Sequence, residues 1–132
     1  MTLHPERRNE MRHPVVAIVK YADPYESVTR ALELSDGLAG LRPEDKILIK
    51  PNLVEWEFEL PYPPWGVVTT SVVMGALVRI LAERGFRNLT IGEGTPLPHA
   101  KGKGRRLFAH LGYETLRDTY GVQLVDFDEE PF

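Results

Sequence analysis

"ILIKPNLV", residues 47–54, begins as a buried strand and ends as something else. Ile47, Leu48 and Ile49 are strand formers with the bulk to fill a core. Lys50, Pro51 and Asn52 suit no sheet interior: lysine resists burial, proline cannot donate to a ladder, and asparagine favours turns. A core strand that runs directly into a cation, a rigid bend and an amide reads as a strand reaching the rim of a ligand site. Pro51 is tolerated there because the ladder is ending, and Lys50 and Asn52 face a cleft instead of a core.

The flanking segments supply the rest of an alternating pattern. Upstream, "VVAIVKY" (15–21) is a continuous apolar run rich in β-branched residues, the pattern of a strand covered on both faces. A helix follows, with Asp23 as cap, Pro24 in the first turn, Glu26 completing a capping box and Gly37 as the stop. Downstream, "TTSVVMGALVRILAERG" (69–85) is the clearest helix in the chain. Val72, Val73, Ala76, Leu77, Ile80 and Leu81 recur at helical spacing, and Gly85 ends it. "NLTIGEG" (88–94) is a short strand entering a glycine turn. "KGKGRRLFAHLGYETLRDTYG" (101–121) is one broken helix or two short ones, interrupted at Gly112, and "VQLVDFD" (122–128) is a last strand. The order β-α-β-α-β-α-β, without strict hydrophobic alternation, predicts an α/β fold. Its expected form is a parallel sheet of about four strands with helices on both faces, a Rossmann-like three-layer arrangement.

The chain has 132 residues, the size of one domain, with 42% hydrophobic and 27% charged residues. Residues 1–13 are polar and aperiodic and are expected to be a flexible leader, leaving 14–132 as a single domain. A net charge of −3 gives no reason to expect nucleic acid. The absence of cysteine excludes zinc–thiolate sites and any iron–sulfur cluster held by this chain. No apolar run approaches a membrane span and the amino terminus lacks a secretory core, so a cytoplasmic protein is the default.

In open parallel sheets, ligands bind at the carboxyl ends of the strands, where helix amino termini also point. The residues falling there are Lys20, Tyr21 and Asp23, then Lys50, Pro51 and Asn52, then Glu93, Gly94 and Thr95, and finally Asp126 and Asp128. Thr69 and Thr70 open the second helix, where hydroxyls and free N–H groups receive anions. "HAKGKGRR" adds Lys101, Lys103, Arg105 and Arg106 on a glycine-rich stretch able to hold phosphate or carboxylate. Each has an ordinary alternative: Thr70 as a plain helix cap, Gly94 as a turn residue, Asn52 as a loop tie, the basic stretch as a solvated loop. The expected ligand-binding set is Lys50, Asn52, Thr69, Thr70, Glu93, Gly94, Lys101 and Lys103, with Glu93 the best acid–base candidate by position. The four histidines have no metal-ligand spacing, so no metal site is expected.

"ILIKPNLV", "VVTTSVVMGALVRILAERGFRNLTIGEG" and "GYETLRDTYGVQLVDFDEEPF" together resemble the amino-terminal half of the domain of unknown function 362 family, from about Val15 onward. The resemblance implies an uncharacterised domain, alone or as half of a longer one, in a family often associated with iron–sulfur proteins. Two functions follow as expectations. One is ligand binding, with a cleft for a small anionic substrate or cofactor at the carboxyl edge of the sheet. The other is a non-catalytic binding or assembly module for an iron–sulfur partner. "EWEFELPYPPWG" (55–66) alternates acidic and apolar residues before three prolines. It is expected to contribute Trp56, Phe58 and Trp65 to a homodimer contact, the alternatives being a fold back over its own core or a lid on the cleft.

Overall fold

The computed structural model describes residues 15–53, 66–94 and 102–129. The leader, the arm bearing Trp56, Phe58 and Trp65, Thr95, Lys101 and the side chain of Lys103 lie outside the described residues. The elements run α1 (Pro24–Ser35), β1 (Lys46–Ile49), α2 (Ser71–Glu83), β2 (Asn88–Glu93), α3 (Lys103–His110), α4 (Glu114–Tyr120) and β3 (Gln123–Asp126). All strand pairs are parallel, in the order β1-β2-β3, and Ile49, Ile91 and Leu124 share one row of the register. The fold is therefore the expected open α/β sheet of Rossmann-like type.

Among the described residues three strands form, where about four were expected. Residues 15–21 are described but unpaired, and Val16 and Ile18 are 86% and 92% exposed. Their inward neighbours Ala17, Val19 and Tyr21 line a groove with Val28, Ala31, Leu32, Val73 and Leu77 of α1 and α2. Composition makes this segment extended and apolar, but strand pairing needs a partner edge, which composition does not specify.

Both long helices start as their sequences require. Asp23 accepts from the amide of Glu26 at 2.9 Å, and Thr70 accepts from that of Val73 at 3.4 Å. At the far end of α1 the left-handed residue is Asp36 (φ 53°), one position before the expected Gly37, whose amide instead bonds the Leu32 carbonyl. An aspartate can occupy that conformation, and the glycine follows as the second residue of the exit.

The buried face of α2 is wider than the expected stripe and partly displaced from it. Ala76, Ile80 and Leu81 are buried as expected and Met74 and Val78 join them, while Val72 is 56% exposed and Val73 and Leu77 turn toward α1. A helix that is apolar nearly all round is covered on two sides. Here the sheet lies on one side and α1 on the other.

The core gathers Leu53, Leu89, Ile91, Phe86, Leu107, Phe108, Tyr113, Leu116 and Val122 around the inner face of α2. These residues lie on the Leu89–Ile91 face of the sheet. The other face carries Lys46, Leu48, Asn88 and Gln123, all exposed. The second helical layer expected over that face is not among the described residues.

Candidate functional site

Parallel register puts Glu93 beside Asp126 at the carboxyl edge, and both side chains are buried, at 5% and 4% exposure. A buried carboxylate must be hydrogen-bonded or paired, and the two solve this differently. Glu93 Oε2 accepts from Lys50 Nζ at 2.8 Å and from the Leu53 amide at 3.1 Å, while Oε1 accepts from the Gly94 amide at 3.0 Å. One carboxylate thus fastens the Lys50–Leu53 turn to the end of β2. Lys50 is still 60% exposed, and its second donated bond goes to the Pro51 carbonyl at 3.2 Å. An ammonium has three protons, so one remains for solvent or a ligand.

Asn52 and Thr69 hold the two loop ends together. Asn52 N donates to Thr69 Oγ1 at 3.1 Å, Thr69 N to the Asn52 carbonyl at 2.8 Å, and Asn52 Nδ2 to the Val67 carbonyl at 3.1 Å. The ring of Tyr113 is fully buried, and its hydroxyl donates to the Thr69 carbonyl at 2.7 Å. That bond ties the start of α4 to the loop that delivers Thr70 to the amino terminus of α2. Against this terminus lies an open cleft of about 630 Å³, lined by Tyr21, Gly66, Val68, Thr69, Thr70, Val72 and Val73.

The start of α3 is different. Gly102 occupies its cap position with no side-chain bond, and Asp126 supplies the acceptor from another strand. Asp126 Oδ2 accepts from the Arg105 amide at 3.3 Å, and Oδ1 from that of Asp128 at 3.1 Å. Arg105 is further paired with Glu129. A helix start that already faces a carboxylate is a poor receptor for a second anion. Among the described residues, the α2 start has only the neutral hydroxyl of Thr70.

The expected residues Lys50, Asn52, Thr69, Thr70, Glu93 and Gly94 therefore come together at one edge. Lys101 lies outside the described residues, and Lys103 opens α3 with its side chain undescribed. Tyr113 and the capping role of Asp126 were not foreseen. The available signals were an aromatic placed directly after the Gly112 break, and a glycine, Gly104, inside a first helical turn. Among the described residues, no group of three or more histidine or acidic side chains is arranged to hold a metal ion.

Burial raises the pKa of Tyr113 well above the ordinary tyrosine value, and the charge of Glu93 adds to the effect. Since folding raises this pKa, the stabilisation is complete below about pH 10, the unfolded value, and is lost as the pH climbs beyond it. Absorbance at 295 nm during an alkaline titration should show the Tyr113 phenolate only as the fold opens. In Tyr113→Phe that coupled step should vanish. A tyrosine signal lost by the variant that had titrated smoothly before unfolding would contradict this burial.

The model of a family described as a domain of unknown function (DUF362) matches residues 47–132. The chain belongs to this family. No curated protein matches the chain significantly, and no solved structure does so. The matched part of the DUF362 domain begins at β1 and includes every residue of the Lys50–Glu93–Tyr113 constellation.

Proposed function

We propose that this DUF362 domain is a cytoplasmic ligand-binding module that receives a small anion, a substrate or a cofactor, at the amino terminus of α2. The observation that carries this reading is the contrast between the two helix starts at the carboxyl edge. That of α3 faces the Asp126 carboxylate, whereas that of α2 opens on a cleft lined by Thr69 and Thr70. The first amides of a helix lack intrahelical acceptors and carry the positive end of its dipole, which favours an anion by about 0.3–1 kcal/mol when exposed and up to about 2 when partly buried. Lys50, two residues before the Asn52 that bonds Thr69, is charge-balanced by Glu93 and brings a third N–H donor, not a net charge.

Amide NMR with added sulfate or phosphate tests the reading. The Ser71 and Val72 resonances should shift saturably, and Lys50→Met should weaken binding severalfold in a folded protein. Shifts confined to other regions would reject the site, and binding unaltered by Lys50→Met would remove the lysine from it.

The alternative is an assembly module for an iron–sulfur partner. The observation in its favour is uncovered apolar surface, with Leu48 at 59% exposure on the bare sheet face. The aromatic arm is assigned to a homodimer contact from its sequence alone. Light scattering should give twice 15.0 kDa for the native chain and a lower mass for Trp56→Ser with Phe58→Ser. A native monomer would exclude the dimer.

A further inference from the structure

The face of the sheet turned away from the core has a cavity at its amino end. Lys46, Asn88, Thr90 and Gln123 project from this face, because Lys46 pairs with Asn88 and Thr90 with Gln123 in the strand register. With Arg87 and Gly121 they line a cavity of about 230 Å³. The lining has two cations, two amides and a hydroxyl, and contains no carboxylate. From these residues the geometry points to a second binding site, for a small phosphate- or carboxylate-bearing anion, independent of the carboxyl edge.

The pairing of charges supports this assignment. Among the described residues, Arg30, Arg42, Lys50, Arg79, Arg105 and Arg117 all have carboxylate partners. Lys20, Lys46, Arg84, Arg87 and Arg106 have none among the described residues, and of these five Lys46 and Arg87 line one and the same cavity. The nearest acids along the chain, Glu44 and Asp45, are both engaged by Arg42. Arg87 spends one N–H on the Ala82 carbonyl at 3.2 Å, which leaves most of its fork unused. Asn88 gives one amide hydrogen to the Glu44 carbonyl and keeps the other.

Two helices end nearby, α2 through Ala82 and α4 through Gly121, and each contributes roughly half a negative charge. Two full positive charges outweigh them. Gly121, at φ 70°, has open space where a side chain would stand, so its surface admits a ligand. The volume lies below the roughly 300–1,000 Å³ of pockets for drug-sized molecules, which restricts the ligand to a small anion.

Titration with inorganic phosphate at constant ionic strength, followed by amide NMR, tests the proposal. Saturable shifts of Gly121 and Gln123 are expected, with an apparent Kd separate from any seen at Ser71 and Val72. Lys46→Met removes one charge-assisted contact from an exposed edge residue and should weaken binding at this site by about tenfold or more. Lys46→Arg should retain it, and Arg87→Gln should repeat the loss. Absence of saturable shifts at Gly121 and Gln123 overturns the proposal, as does an unchanged Kd in Lys46→Met. Loss in Lys46→Met without retention in Lys46→Arg also counts against it, since the charge would not then be the operative feature.

Discussion

Glu93→Ala is expected to lower the unfolding free energy by about 2–4 kcal/mol, from two sources of comparable size. The buried Leu53 amide loses its acceptor, which costs about 1–3 kcal/mol by itself, and truncating a buried side chain adds a cavity. The ion pair, buried at Glu93 but open at Lys50, contributes the smaller part of this sum, because Lys50 remains in contact with solvent at 60% exposure. Glu93→Gln should therefore recover much of the loss, as its amide oxygen can accept from Leu53 while the charge is gone. Urea denaturation of the two variants separates these effects. If both lose the same stability, the charge is what matters, and the hydrogen-bond account fails.

Gly104→Ala is also expected to destabilise, for a steric reason. A Cβ at this position would stand 2.6–2.8 Å from the carboxylate carbon and both oxygens of Asp126. That carboxylate is buried and held by the Arg105 and Asp128 amides, so it cannot retreat without breaking them. Overpacking of this kind costs about 1–3 kcal/mol, despite the gain of about 1 kcal/mol that alanine normally has over glycine in a helix. Asp126→Ala alone should cost about 1–2 kcal/mol as the loss of a helix cap. In that background Gly104→Ala should become neutral or stabilising. A double-mutant cycle reads this reversal directly, and simple additivity would show that the two residues do not collide.

The elements legible in the sequence were those whose cause is local. Asp23 and Thr70 mark helix starts through their own side chains, Gly85 and Gly112 mark stops, and Ile47–Ile49 and Leu89–Ile91 are strand-like on composition. The site was legible as a place, since strand ends in a parallel sheet share one edge. It was not legible as a set of contacts. Nothing in "KPN" or "GEG" says that Lys50 will reach Glu93, or that Leu53 will lend it an amide.

Asp126 shows the same limit. It was visible as a strand-end acid, but its service as the cap of α3 depends on the register with β2 and on Gly104 leaving room. Residues 15–21 failed for the converse reason. Their composition satisfies every local condition for a strand, while among the described residues no strand pairs with them. Lys46 and Arg87 were unremarkable in the sequence because their significance lies in the partners they lack.

The sequential strand order also bears on how the protein is made. Among the described strands each pairs with its neighbour in sequence, so the β1–β2 ladder needs no strand after β2, although its core is completed by α3, α4 and β3. A chain emerging from the ribosome can close that ladder, and with it the Lys50–Glu93 pair, before α3, α4 and β3 have been synthesised. Tyr113 and Asp126 arrive afterwards and lock an edge that is already formed. Arrest at successive lengths should therefore find the two ends of the site acquiring protection from proteolysis at different moments, the Glu93 side first.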